Sequence, residues 1–195
     1  SGSIVNYSNM AAETGVRSKT IREYYQLLED TLVAFHRPPY ARSARKRLTQ
    51  HPIFCLFDLG VINALCGRLG QLPSPGTSVY GRLFEHFIIL ELYRLIKYEE
   101  LDWPICYWRT TAGAEVDVVL ETDKELLAIE VKSADHVKSA DLRGLNEFLS
   151  DYPRARGICV CNADKPFNLG AIECLPWRMF FERLFPLSAA AVSLS

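Results

Sequence analysis

The sequence has no excess charge of either sign. Its 22 lysines and arginines stand against 23 aspartates and glutamates, a formal net charge of −1. A dedicated nucleic-acid binder usually carries net positive charge, so any contact of this chain with nucleic acid must come from a local patch. Paired cysteine motifs are also missing. Cys55, Cys66, Cys106, Cys159, Cys161 and Cys174 lie inside apolar runs with no CxxC spacing. That argues against a zinc site or a disulfide framework, and for free, mostly buried thiols in a reducing compartment. No apolar run is long enough to cross a bilayer, and no signal-peptide pattern is present. The expected location is the cytoplasm, with no membrane partner. No internal repeat occurs.

What is present is ample apolar content: 49% of the 195 residues are hydrophobic, enough to build one large or two small domains. Residues 8–30 read as a short helix, a turn at Gly15 and a second helix capped by Ser18, with Ile21, Tyr24 or Tyr25, and Leu28 on one face. Helix–turn–helix of this kind enters a DNA major groove in some proteins and is a plain packing unit in others. TLVAFHRPPY then reads as a strand ended by Pro38-Pro39. The next stretch clusters Arg42, Arg45, Lys46 and Arg47, which suits either a phosphate-contacting wing or a solvated loop. IFCLFDLGVINALCG is a strand running into a helix capped by Asp58.

Residues 71–78, QLPSPGTS, concentrate Pro, Gly and Ser and mark a linker or hinge. The expected organisation is a winged-helix-like segment over 1–70, the linker 71–78, an α/β domain over 79–185 and a loose tail over 186–195. The helix after the linker is the strongest in the chain and repeats Phe84, Ile88, Glu91 or Leu92, and Leu95. It also places Glu85 against partly apolar surroundings, where a carboxylate needs a partner. Three short strands follow over 104–132, then an amphipathic helix through Leu142, Leu145 and Phe148. The apolar run GICVC reads as a buried strand, and a strand near AIECL and a helix from PWRMFFERLF complete the domain. In EVDVVLE, strict alternation directs Val116, Val118 and Leu120 one way and Glu115, Asp117, Val119 and Glu121 the other.

On the third strand, LLAIEVK, Glu130 and Lys132 share one face, and Asp117 on the preceding strand can come beside Glu130. Two converging carboxylates repel, and a divalent cation with oxygen ligands resolves that conflict. Mg²⁺ suits such a site, because a hard cation offsets charge on a phosphate oxygen. An adjacent lysine can stabilise developing negative charge. A Glu-x-Lys triplet by itself is also common on solvated strand faces. It gains weight from the Asp thirteen residues earlier and the glutamate on the upstream helix.

These residues resemble the PD-(D/E)XK, or restriction-endonuclease-like, superfamily: Asp117, then Glu130-Val131-Lys132, with Glu85 upstream and the helix–strand–strand–strand–helix–strand order over about 79–185. The resemblance implies that Glu85, Asp117 and Glu130 hold Mg²⁺ or Mn²⁺ and that Lys132 assists catalysis. GRLFEHF, YWRTTAGAEVDVVL, LLAIEVKSA, LRGLNEF and LPW are more narrowly similar to the C-terminal half of an uncharacterised group of prokaryotic AAA+-type ATPases. In that group a winged-helix segment precedes the nuclease-like domain. No GxxxxGK[ST] loop occurs in this chain, so it has no ATP site of that kind, and it reads as a fragment or as a protein that lost its motor. The expected function is Mg²⁺-dependent cleavage of DNA. The alternative is a non-catalytic module that binds DNA or a protein partner.

Overall fold

The structure, a computed structural model, describes residues 2–40, 51–71 and 73–186. Its N-terminal part sets two helices against a small antiparallel sheet. After β1 (Ser3–Ile4), α1 (Tyr7–Thr14) starts where the Asn6 side chain accepts from the Ser8 and Asn9 amides. It stops at Gly15, whose φ of 70° lets its N–H return to the Ala11 carbonyl, a left-handed stop that favours glycine. In α2 (Ser18–Asp30) the cap position falls on Arg17 and Ser18 is already helical. The expected Ser18 cap is therefore wrong by one residue, because the extended backbone turns into the helix at Arg17. α2 buries Ile21 and packs Tyr25 and Leu28 toward Val5, Ala34 and Phe54, while Tyr24 faces solvent.

β2 (Ala34–Arg37) and β3 (Ile53–Leu56) pair antiparallel and β1 joins the other side of β3, giving the order β1-β3-β2. Asp58 caps α3 (Leu59–Leu65) as expected, accepting from the Val61 amide at 2.9 Å. The basic residues Arg42, Arg45, Lys46 and Arg47 lie outside the described residues, as does the expected tail from 187 onward.

Beyond the linker, α4 (Ser78–Tyr98) is capped by the Thr77 hydroxyl, which accepts from the Tyr80 amide at 3.2 Å. A six-stranded mixed sheet follows, built from β4 (Ile105–Arg109), β5 (Glu115–Glu121), β6 (Leu126–Lys132), β7 (Ala155–Cys161), β8 (Phe167–Leu169) and β9 (Ile172–Pro176). Its order is β4-β5-β6-β7-β9-β8. β4, β5 and β6 run as an antiparallel meander. β6 to β7 is a parallel crossover through a 3₁₀ turn at Ser139–Leu142 and α5 (Arg143–Asp151). α6 (Trp177–Leu184) closes the domain.

The fold is thus mixed α/β, with the expected helix, three strands, helix and strand from α4 onward. The short strand β8 is an addition. Among the described residues no helix is long and apolar enough to cross a membrane, and all six cysteines are free, five of them buried.

Each face of the large sheet has its own core. On one side Phe84, Ile88, Leu92 and Ile96 of α4 and Phe180 of α6 pack on Val118, Leu120, Leu127, Ile129 and Val160. On the other, Leu145 and Phe148 of α5 pack on Trp108, Val119, Ala128 and Cys159. The small sheet is part of the first core. Phe35 stacks on Tyr93 with ring centroids 4.1 Å apart, and His86 Nε2 lies 2.8 Å from the Leu56 carbonyl oxygen. The Tyr40 amide donates to Tyr107, and the Tyr107 amide to Pro38, at 2.7 and 3.1 Å. The end of β2 therefore runs alongside β4.

α5 approaches β5 closely at one point. A Cβ on Gly144 would lie 2.0 Å from the Glu115 carbonyl oxygen, a backbone atom that cannot step aside. Gly144→Ala is expected to lower stability by about 1–3 kcal/mol or more through overpacking. Urea denaturation measures this, and an unchanged midpoint would refute the close approach.

Candidate active site

The β4–β5 ladder carries an irregularity at the expected site. Cys106 pairs with Val119 and Trp108 with Val116, so two steps along β4 oppose three along β5. The extra residue makes a β-bulge at Asp117–Val118. A bulge kinks the strand and re-aims its side chains. Val118 and Leu120 stay in the core under α4, but Val116 joins Val119 in the core under α5. The strict alternation expected for β5 therefore fails at Val116, because one inserted residue flips every side chain beyond it.

Asp117 exploits that break. The β5–β6 ladder runs as far as Val118 opposite Ile129, and one step further faces Asp117 toward Glu130. There the Asp117 side chain replaces a ladder partner: its Oδ2 accepts from the Val131 amide at 2.8 Å. The Asp117 carbonyl in turn accepts from the Arg37 guanidinium, which reaches across from β2. Glu130 is buried. Its Oε1 lies 2.7 Å from Lys132 Nζ, and its Oε2 is buried with no hydrogen-bond partner.

Two clefts open beside this bulge. A cleft of about 270 Å³ is lined by Arg37, Glu85, Arg109, Glu115 and Asp117. A wider one of about 690 Å³ is lined by Glu115, Glu130, Lys132, Arg143 and Asn146. Glu115 contributes to both and pairs with Arg109 at 3.4 Å. Glu85 thus approaches from α4 and Glu130 from β6, with Asp117 between them.

The electrostatics follow from this crowding. Burial, reinforced by the Asp117 charge, pushes the Glu85 carboxyl up to about 8, against the opposing pull of Arg37 and Lys132. Burial and then Asp117 likewise push Glu130 up to about 8, with Lys132 opposing. Burial raises Asp117 as well, while the Val131 amide, Lys132 and Arg37 favour its ionised form. Burial works to lower the Lys132 pKa, but the neighbouring Glu130 carboxylate outweighs it and the pKa ends raised. Desolvation and like charge act together on Glu85, Asp117 and Glu130.

Glu85, Asp117, Glu130 and Lys132 are therefore gathered around one bulge. Their side chains do not close into a shell: among the described residues, no three His, Cys, Asp or Glu side chains are grouped to hold a metal ion. The donor chemistry still suits a hard cation. All candidates are carboxylate oxygens, and Glu130 Oε2 is without a partner. Sequence reasoning missed Arg37 and Glu115. A signal for Arg37 existed: it stands two residues after Phe35 on β2, and so on the same face as an inward-pointing side chain.

An α/β domain with one buried carboxylate, two half-buried ones and a lysine gathered at a sheet bulge is the class of protein that this fold and site define. Residues 80–180 match the model of a family described as a domain of unknown function, DUF4143, and the chain belongs to that family. Residues 1–72 match a second model, also described as a domain of unknown function, DUF8612. Uncharacterized proteins of Mycobacterium bovis and Mycobacterium tuberculosis are each 27% identical to this chain over 168 residues, which cover 86% of it and 37% of each relative. The chain spans little more than a third of the length of these curated relatives.

The raised carboxylates set a pH dependence. A carboxyl held at about 8 when folded, against a reference of 4.5, contributes stability that is fully present below 4.5 and lost as pH rises through 8. Removing the charge removes that loss. Glu85→Gln and Glu130→Gln, melted in chelator, are expected to gain several degrees in Tm over the parent at pH 9 (about 2–4 °C for each kcal/mol relieved). At pH 4.5 they should gain nothing. A gain independent of pH would sink the assignment.

Proposed function

We propose that this chain is a metal-dependent nuclease with a PD-(D/E)XK-like site that hydrolyses DNA phosphodiester bonds. The observation that carries this reading is the crowded acidic pair. Asp117 and Glu130 face each other across the end of a ladder, each carboxyl is raised, and one buried oxygen of Glu130 has no partner. Such an arrangement costs stability, and a bound Mg²⁺ or Mn²⁺ would offset it. Asp117 and Glu130 would hold the cation, with Glu85 completing its surroundings from α4. The cation, when bound, supplies a Lewis acid that offsets charge on a phosphate oxygen.

The chain's own residues do the rest. Lys132, released from Glu130, donates toward the developing negative charge. The Val131 amide orients the Asp117 carboxylate, and the two clefts give a phosphate backbone access to the bulge from either side. Arg42, Arg45, Lys46 and Arg47 would supply a local basic patch for that backbone. The free cysteines fit a reducing, cytoplasmic setting. The chain covers 37% of its relatives' length, which leaves room in them for an ATPase part of the AAA+ type, with this chain as its C-terminal region.

A second reading is favoured by a specific observation. The Lys132–Glu130 ion pair at 2.7 Å uses the two motif residues to neutralise each other, as a non-catalytic DNA- or protein-binding module would. One experiment separates the two. Plasmid, linear and single-stranded DNA are incubated with Mg²⁺ or Mn²⁺ and the parent chain, Asp117→Ala or Lys132→Ala. The nuclease reading expects cleavage by the parent, and a loss of about 10²–10³-fold in each variant, the scale of removing one transition-state contact. Equal traces from all three, with no rise in the parent's Tm at millimolar metal, would leave the binding module.

A further inference from the structure

We infer that Arg37 is a positioning residue of this site: delivered by the small N-terminal sheet, it holds the bulged backbone at Asp117 and so fixes where the Asp117 carboxylate points. The inference rests on the reading of Asp117 as a site residue, and extends it to the part of the chain before the linker.

Arg37 is 1% exposed, and a guanidinium is rarely buried unless paired. Its Nη2 donates to the Asp117 carbonyl oxygen, while its Nε is buried without a partner. The bulge explains the contact. An extra residue in one strand has no counterpart across the ladder, and a buried carbonyl left without a donor costs about 1–3 kcal/mol. Arg37 supplies that donor from outside the sheet.

The same side chain lines the smaller cleft with Glu85 and Asp117, and its charge favours the ionised form of both. Its own strand is fixed on either side of the contact. Phe35 is stacked on Tyr93, and Pro38 and Tyr40 bond to Tyr107. The guanidinium is therefore aimed by two anchors, one before it and one after it. Arginine suits the task because its planar fork places several donors in fixed geometry on a long side chain.

The consequence is that one site draws on both matched segments, Arg37 from residues 1–72 and the carboxylates and Lys132 from residues 80–180. A domain cut at the linker would lose the donor to Asp117.

The test reads the position of the Asp117 carboxylate directly, through the Val131 amide that it accepts from. Amide hydrogen exchange is measured in the full chain without metal or DNA, for the parent, Arg37→Met and Arg37→Lys, with the Val160 amide on β7 as an internal reference. Arg37→Met is expected to lower protection of Val131 relative to Val160 by about tenfold, the scale of one charge-assisted hydrogen bond. Lysine should recover only part of it, because the claim is for the guanidinium's geometry.

A uniform loss at both amides, or no loss at Val131, would reduce Arg37 to a packing residue and overturn the inference. Where Arg37→Met does not fold, Arg37→Lys decides: an unchanged Val131-to-Val160 ratio overturns it. Because no cleavage is measured, a chain that cuts nothing leaves this result standing, and a nuclease with an unmoved Val131 amide refutes it alone.

Discussion

A carboxylate at the end of a β-ladder has to be satisfied by the ladder itself, and the architecture around Asp117 follows from that constraint. Its Oδ2 takes the Val131 amide, a donor that a regular sheet would give to a neighbouring backbone. This is possible only where the strand stops pairing regularly, and the bulge against β4 provides such a place. The bulge leaves the Asp117 carbonyl in need of a donor, and Arg37 meets that need from another sheet. The first turn of α5 can sit over the start of β5 because Gly144 presents no Cβ to the Glu115 carbonyl. Removing any one of these leaves a buried polar group without a partner or drives a side-chain Cβ into the Glu115 backbone.

The charges around the bulge are close to balance, yet those at its centre are poorly solvated. Glu85, Glu115, Asp117, Glu130 and Asp141 stand against Arg37, Arg109, Lys132 and Arg143, and of these Glu115 and Arg109 are open to solvent. Burial penalises the ionised carboxylates more than the available cations compensate, as the raised Glu85 and Glu130 show. Lys132 holds one Glu130 oxygen, Oε1, at 2.7 Å, and the other, Oε2, is the one a divalent cation would find without a partner. A cation displacing Lys132 would free its ammonium to face outward into the wider cleft.

The parts of this structure legible in the sequence are those fixed by local periodicity. α4 shows its 3.6-residue apolar spacing, the β4–β6 meander its short apolar runs, and Asp58 its position before an apolar helix. Gly113, in the turn between β4 and β5, adopts a φ of 91°, a conformation that favours glycine. What escaped depends on contacts distant in the chain. The bulge at Asp117 is invisible in EVDVVLE, because it arises from the register against β4 and the docking of α5, and nothing in the strand's own composition calls for it. β8, three residues long, is too short to show a period. Arg37 shared a face with Phe35, but its partner lies 80 residues away, and no local pattern names a partner at that distance.

That distance changes how the N-terminal part of the chain is understood. Two helices and a small sheet ahead of a linker invite the picture of a separate reader tethered to a separate catalytic domain. The packing argues for a shared structure instead. Phe35 and Cys55 belong to the same apolar core as α4 and the large sheet, His86 of α4 meets the Leu56 carbonyl oxygen, and Pro38 and Tyr40 bond to β4. A body joined through a core and backbone hydrogen bonds does not swing freely on its linker. Displacement of the small sheet, whether by nucleic acid, a partner protein or another domain of a longer chain, would be transmitted to Asp117 through Arg37. The linker at 71–78 then serves to span the distance between β3–α3 and α4, and the flexibility its composition permits is limited by the contacts on either side of it.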